Sequence, residues 1–339
     1  MIKVGLLGYT NAAIQYHLPC YRNLDGVNVA YVADSNESRL QNARKSIKCD
    51  DYLQSYQEIF EKKDVDLIDI SLRSSLNPQL CLEAAKNGKN FIVEPPFAIN
   101  TLQGKEIQNV VDKNRVHACI AQSYRFKPSV YPIVTKHEIG EIGRIFAVSV
   151  AAFELSPRLN KPLELIKMYS EAADALTFFG GAVNSVHAKT PTFFNDPEHL
   201  LEPEIRALIT FENSCTGFFN WSGYAPCESF NVDVYGTGGV YKMDIMGSSS
   251  ETVNWWLNPG PRLKSIKRIS FDFKNLFKRY GVLADSGYPL LFSRFLQSIE
   301  KDAESPVSLK EGLKSVALIE SIKHSIKEDA DISASGFDI

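Results

Sequence analysis

Asn90-Phe91-Ile92-Val93-Glu94-Pro95-Pro96-Phe97-Ala98 is the stretch that decides how this chain folds. Three apolar residues run into an acid and then into two prolines. A short apolar run reads as a buried strand, and proline, which has no N–H for a ladder, stops it abruptly. A helix-like segment, Pro78–Asn87, precedes it, and an apolar strand, Val65–Leu72, precedes that helix. Strand, helix and strand in this order build a parallel sheet, whose strands deliver their last residues to a ligand crevice at the carboxyl edge. Glu94 and Pro95 therefore stand at the rim of a candidate site.

Towards the N-terminus the alternation continues. Ile2–Leu7 is a short apolar strand ending at Gly8-Tyr9-Thr10-Asn11-Ala12-Ala13, after which Ile14, His17 and Leu18 suggest a helix. A dinucleotide fingerprint occupies this position, its glycines letting backbone amides at a helix N-terminus approach a pyrophosphate. Gly8 fits the first glycine and Ala13 the permitted third position, with Asn11 between them, but Thr10 replaces the second. A β-carbon there holds the phosphate further out or shifts the loop, unless the hydroxyl itself donates. Taken alone, the motif is equally an ordinary strand–turn–helix. The next strand, Val27–Ala33, ends at Asp34, 21 residues past Ala13. An acid at that spacing accepts the hydrogen bonds of an adenosine ribose. A carboxylate there repels a 2′-phosphate, so the expected cofactor is NAD, with NADP less favoured. The competing reading makes Asp34 a cap for a helix starting at Ser35-Asn36-Glu37.

Tyr56–Lys62, Pro78–Asn87 and Leu102–Asn114 read as helices and Ala118–Gln122 as a further strand. Residues 1–122 are thus expected to be a Rossmann domain, a doubly wound parallel α/β sheet that binds NAD(P). Around Gly140-Glu141-Ile142-Gly143 the character changes. Ile145–Phe153, Ile205–Phe211, Thr216–Ser222, Phe230–Tyr235 and Val240–Met246 are longer runs rich in aromatic and β-branched residues. They predict an open, mostly antiparallel sheet with helices on one face, an α+β domain over residues 123–330. Leu163–Phe179 is a helix between its first strands, and the closing helices Tyr288–Lys301 and Leu309–Lys327 return the chain towards the first domain. Asp329 to Ile339 reads as a loosely held tail, with residues 331–339 outside both domains.

The chain has 339 residues, 44% of them hydrophobic, which suffices for two cores. A net charge of −3 offers no surface for nucleic acid or an anionic membrane. The six cysteines, Cys20, Cys49, Cys81, Cys119, Cys215 and Cys227, show no CxxC or metal spacing and read as reduced thiols. No run approaches the roughly 18 apolar residues of a membrane span, and no leader pattern precedes the first strand. The expectation is a soluble cytoplasmic protein without a metal.

Taken together, Gly5-Leu6-Leu7-Gly8, Asp34, Asp64-Val65-Asp66-Leu67-Ile68, Ala84-Ala85-Lys86-Asn87-Gly88-Lys89, Glu94-Pro95-Pro96, Tyr124-Arg125-Phe126-Lys127-Pro128, Gly140-Glu141-Ile142-Gly143 and Leu309-Lys310-Glu311-Gly312-Leu313 follow a recognisable order. That order resembles the Gfo/Idh/MocA family, the glucose–fructose oxidoreductase and inositol dehydrogenase group, over nearly the whole chain. The resemblance implies an NAD(P)-dependent oxidoreductase acting on a small carbohydrate-like molecule, a sugar or cyclitol. It also implies a homodimer or homotetramer paired through the open face of the C-terminal sheet, for which Phe218-Phe219-Asn220-Trp221 and Val232–Tyr235 are suited. Trp255-Trp256 reads as packing or an oligomer contact.

The family's catalytic pattern is altered. Members usually carry Glu-Lys-Pro at the strand end, with the lysine near the nicotinamide and the substrate hydroxyl; here the lysine position is Pro95. The family's Asp-x-x-x-His-x-x-Asp pattern aligns with Lys167, Glu171 and Asp174, so only the last acid is kept. The loop that often ends in histidine, Leu72-Arg73-Ser74-Ser75-Leu76-Asn77, ends in Asn77. The resemblance places Leu72, Asn77, Glu94 and Pro95 beside the cofactor and Asp174 beside the substrate.

Chemistry remains available, since hydride transfer needs positioning and one proton donor or acceptor at the carbonyl. Lys167 and Glu171 are four apart and share a helix face, so the amine can have moved to Lys167, with Glu171 tuning its pKa. The competing reading is an exposed ion pair. Tyr124 and Arg125 can supply a phenol and an anion clamp. His17 can approach the cofactor or pack the helix, and His187 belongs to a sheet face. Two functions follow: an oxidoreductase with a non-standard acid–base set, or a catalytically altered family member that keeps the cofactor pocket as a sensor.

Overall fold

Six short apolar runs pair side by side in the first part of the chain. They are β1 (Ile2–Leu7), β2 (Val27–Ala33), β3 (Asp51–Leu53), β4 (Leu67–Ile70), β5 (Asn90–Val93) and β6 (Ala118–Ile120). In the computed structural model, which describes residues 1–72, 75–138, 140–155, 162–191, 204–246, 253–257 and 274–333, they form one sheet in the order β3-β2-β1-β4-β5-β6. Every pair is parallel. A parallel sheet is covered on both faces, and Val4, Leu6, Leu7, Ile68, Ile70, Phe91 and Val93 are all 0% exposed. The strand order reverses between β1 and β4, and this reversal opens the crevice at the carboxyl edge. The connecting helices are α1 (Leu18–Arg22), α2 (Glu37–Ser46), α3 (Gln57–Glu61), α4 (Asn77–Lys86) and α5 (Thr101–Asn114). Strand β3 has no counterpart in the sequence reading, because three residues with only Leu53 buried make no period.

The chain divides into two units, one of Met1–Phe126 with Phe273–Gly312, the other of Lys127–Asp272 with Leu313–Ile339. The second contains α6 (Tyr131–Glu138), β7 (Ile145–Leu155), α7 (Pro162–Gly180), β8 (Val183–Lys189), β9 (Glu204–Phe211), β10 (Thr216–Ala225), β11 (Ser229–Gly236), β12 (Gly239–Asp244) and β13 (Val253–Leu257). Beyond them the helices α8 (Lys274–Tyr280) and α9 (Tyr288–Glu300) belong to the first unit, and α10 (Leu309–Glu328) and β14 (Ile332–Ser333) complete the chain.

The second sheet has the order β13-β12-β11-β7-β10-β9-β8-β14. It is mixed, because β10 lies parallel to β7 while its other pairs are antiparallel. Helix α7 packs on β7, β10 and β11. On the other face, among the described residues, Phe146, Leu208 and Phe218 are each about half exposed. Strand alternation corrects the expected interface: Phe219 and Trp221 point the opposite way, are buried, and pack on Tyr169 of α7 at ring distances of 5.5 and 5.7 Å. Val232 and Val234 are buried too. Trp255 and Trp256 lie on β13, but their side chains are outside the described residues.

The tail is also held further than expected. β14 pairs with β8, Asp331 accepts from His187 at 2.7 Å, and Asp329 pairs with Lys189. Residues 334–339 lie outside the described residues. Among the described residues no helix is long and apolar enough to cross a membrane.

Candidate functional site

The loop after β1 is built around one bare backbone position. Gly8 has φ +94°, a conformation that L side chains rarely adopt, and a β-carbon on it would stand 2.6 Å from Leu72 Cδ2. Thr10, in the place of the second glycine, points its hydroxyl inward. It donates to the Ser71 carbonyl at 3.1 Å and accepts the Ala13 N–H at 3.2 Å. Thr10 thus caps the following helix and ties it to the end of β4, so its β-carbon does not displace the loop. The Ala13 amide is spent on this cap. The exposed Asn11 and buried Ala12 open the helical run, where first-turn amides have no intrahelical acceptor. These features fit a dinucleotide phosphate.

Asp34 sits at the end of β2, fully buried. It does not cap α2, since Asn36 accepts the Arg39 N–H as N-cap at 3.0 Å, but it braces that cap by accepting the Asn36 N–H at 2.8 Å. It also accepts the Tyr9 N–H at 2.8 Å, joining β2 to the loop after β1. Arg39 donates to both carboxylate oxygens at 2.7 and 2.8 Å.

At the end of β5 lies a buried cluster that the sequence reading did not assemble. His17 Nδ1 lies 2.9 and 3.0 Å from the two oxygens of Asp69, and Nε2 lies 3.1 Å from Glu94 Oε1. All three side chains are 0% exposed. Tyr288, at the start of α9, donates its hydroxyl to the same Glu94 oxygen at 2.5 Å and stacks on Tyr16 at 4.9 Å. Burial is the largest influence on His17 and pushes its pKa down, but Asp69 and then Glu94 outweigh it and raise it to about 9. With a carboxylate on each nitrogen, the ring is a doubly donating imidazolium.

Asn77, expected beside the cofactor, is 0% exposed and serves as a tie. Its Nδ2 reaches the carbonyls of Leu72 at 2.9 Å, Glu94 at 3.0 Å and Pro96 at 3.2 Å, and these acceptors identify that atom as the nitrogen. Its Oδ1 is buried with no donor among the described residues. Pro95 is buried, and the Pro95–Pro96 bond is cis. Leu72 is 7% exposed beneath Gly8; Arg73 and Ser74 lie outside the described residues.

Tyr124 and Arg125 occupy a short 3-10 turn, Ser123–Phe126, and both are 3% exposed. Arg125 Nη1 donates to Glu311 Oε1 at 2.8 Å. Arg125 is thus held on a carboxylate of its own chain, a partner that the anion-clamp expectation did not include. Burial pushes the Glu311 carboxyl up most strongly, yet Arg125 outweighs it and holds the carboxyl below its usual range.

In the second unit, Lys167, Glu171 and Asp174 all lie on α7. Glu171 is half-buried, while the Lys167 side chain is outside the described residues. Asp174 is 0% exposed and accepts from the Ser315 hydroxyl at 3.4 Å, so it braces α7 against α10.

Among the residues missed, Asp69 carried a signal: it is an acid inside an otherwise apolar run, Leu67-Ile68-Asp69-Ile70. Arg39 stands five residues beyond Asp34, within reach across the helix start. Tyr288 carried none, being 194 positions from Glu94.

Residues 2–122 match a family model described as an oxidoreductase family with an NAD-binding Rossmann fold, and residues 173–333 match the same family's C-terminal alpha/beta domain. A curated relative, scyllo-inositol 2-dehydrogenase (NAD(+)) of Bacillus subtilis, is 23% identical over 145 residues, covering 42% of this chain and 41% of its own length. The chain therefore spans under half the length of such relatives. A levoglucosan dehydrogenase solved with NADH superposes with a TM-score of 0.85 at 17% identity, covering 98% of this chain and 99% of the other. The WlbA dehydrogenase of Bordetella pertussis, solved with NADH and UDP-GlcNAcA, gives 0.79 at 20% identity over 98% and 97%.

Proposed function

The chain belongs to the Gfo/Idh/MocA family of NAD-binding oxidoreductases, and we propose that it oxidises or reduces a hydroxyl or keto group of a carbohydrate-like molecule, with proton exchange moved away from strand β5. Bound NAD supplies hydride exchange. Gly8, Asn11 and the first helical turn receive its pyrophosphate and Asp34 its ribose. Leu72, Asn77, Glu94 and Pro95 frame the nicotinamide end.

Pro95 is the observation that carries this reading. It fills the place where the family keeps an amine, and it has no titratable atom. The proton must therefore come from another side chain, and Lys167 with Glu171 on α7 take that role, with Tyr124 as a phenol nearby in sequence to the first unit's end. The substrate class is supported by the inositol, levoglucosan and UDP-sugar enzymes that the chain resembles. The half-exposed Phe146, Leu208 and Phe218 on one face of the second sheet support a homodimer or homotetramer.

Titration of the purified protein with NADH, followed by nicotinamide fluorescence, and then a panel of sugars, keto-sugars and imines, tests the reading. Lys167→Ala and Glu171→Ala should each lower kcat by about 10²–10⁴ while NADH affinity holds. Cofactor binding without turnover on the panel would favour the sensor reading. Unchanged kcat in both variants would remove α7 from the chemistry.

A further inference from the structure

Asp34 is the group that a ribose diol addresses, and its acceptor positions are filled. Oδ1 accepts the Asn36 N–H at 2.8 Å and Arg39 Nη2 at 2.7 Å, while Oδ2 accepts the Tyr9 N–H and Arg39 Nε, both at 2.8 Å. A carboxylate offers about four lone-pair positions, so this one is saturated. Two of its donors are backbone amides placed by the fold. The other two belong to one side chain on the first turn of α2, which is 42% exposed above an Asp34 that is 0% exposed. A ribose diol reaches Asp34 only by displacing that guanidinium. A 2′-phosphate displaces nothing, because it arrives at a cation.

We propose that Arg39 sets the choice of dinucleotide, neutralising Asp34 so that the site accepts NADP(H) alongside NAD(H). This deepens the redox reading above and rests on it. A guanidinium is planar and forked, so it can hold a carboxylate along one edge and present another to a phosphate. Nε and Nη2 form the edge turned to Asp34; Nη1 belongs to the other. Ser35, exposed on the same rim, and Tyr56 bring two hydroxyls 3.3 Å apart as further donors. The acid that the spacing rule reads as a barrier to a 2′-phosphate is thus already paired.

The competing account is a helix-start ion pair with no ligand role, and cofactor titrations of the full chain separate the two. Wild type should bind NADH and NADPH within about tenfold of each other. Arg39→Gln should weaken NADPH by about tenfold or more and tighten NADH, because the diol no longer displaces a guanidinium. Arg39→Lys should fall between, keeping a charge but losing the fork. Wild type that binds NADH but not NADPH overturns the proposal and leaves the redox reading standing. Equal weakening of both cofactors in Arg39→Gln also overturns it, since Arg39 then serves the fold alone. Failure of wild type to bind either cofactor overturns both readings.

Discussion

Replacing His17 by alanine probes the buried cluster behind β5. The imidazole rises from 6.5 to about 9, with burial opposing and Asp69 and Glu94 prevailing. At about 1.4 kcal/mol per unit, the charged ring favours the folded state by about 3 kcal/mol. The folded pKa exceeds the unfolded one, so this contribution is complete below about pH 6.5 and is lost as pH rises through about 9. Between those limits stability falls by about 1.4 kcal/mol per pH unit. Asp69 and Glu94 at the ends of β4 and β5 and Tyr288 and Phe292 of α9 face the ring, and Cys20 and Tyr21 of α1 interact with Asp69. Burial, reinforced by Asp69, pushes the Cys20 thiol and the Tyr21 phenol up, so neither ionises in this window. His17→Ala leaves two buried carboxylates without their shared cation, a loss of about 3–5 kcal/mol, or roughly 10 °C in Tm. Circular dichroism melts from pH 6 to 9.5 measure it. Tryptophan fluorescence isolates the second unit, which holds all of Trp221, Trp255 and Trp256. The deficit should be largest at pH 6 and shrink towards pH 9.5. A deficit that does not change with pH, or a variant as stable as wild type at pH 6, refutes the charged cluster.

Gly8→Ala forces a β-carbon against Leu72 at a positive φ, so it should cost about 1–3 kcal/mol and weaken NADH by more than tenfold; an unchanged NADH titration would contradict the loop reading. Arg125→Met should lower stability by about 1–3 kcal/mol, read as a lower urea midpoint at unchanged slope, a figure reduced because Glu311 is one-third exposed, with substrate KM unaltered. The low Glu311 pKa contributes stability above its unfolded value that is lost as pH falls through the folded one, so the gap between the proteins should narrow in acid. A raised KM at full stability would favour the anion clamp. Thiol labelling of the native protein should reach the exposed Cys227 first and Cys20, Cys81 and Cys119 only on unfolding, because burial raises their pKa values; mass spectrometry of labelled peptides reads the order.

Local pattern sufficed for the longer elements, though not for the three-residue β3. β1 and β2 run over the residues that their apolar runs predicted, and Gly8 and Asp34 could be placed because a backbone conformation and a strand end are consequences of near neighbours in sequence. Periodicity could not say that β10 runs parallel to β7, since side chains alternate alike in either direction, nor which way Phe219 and Trp221 face. Tertiary structure alone brought His17 to Asp69 and Glu94 across 52 and 77 positions, and Tyr288 to Glu94 across 194. The same holds for side-chain direction: Thr10 turned its hydroxyl to Ser71, and Arg125 met Glu311. Hydrogen bonds and ion pairs act over about 3 Å in space, a distance that chain separation does not encode, so residue types named the available chemistry and the fold chose the partners.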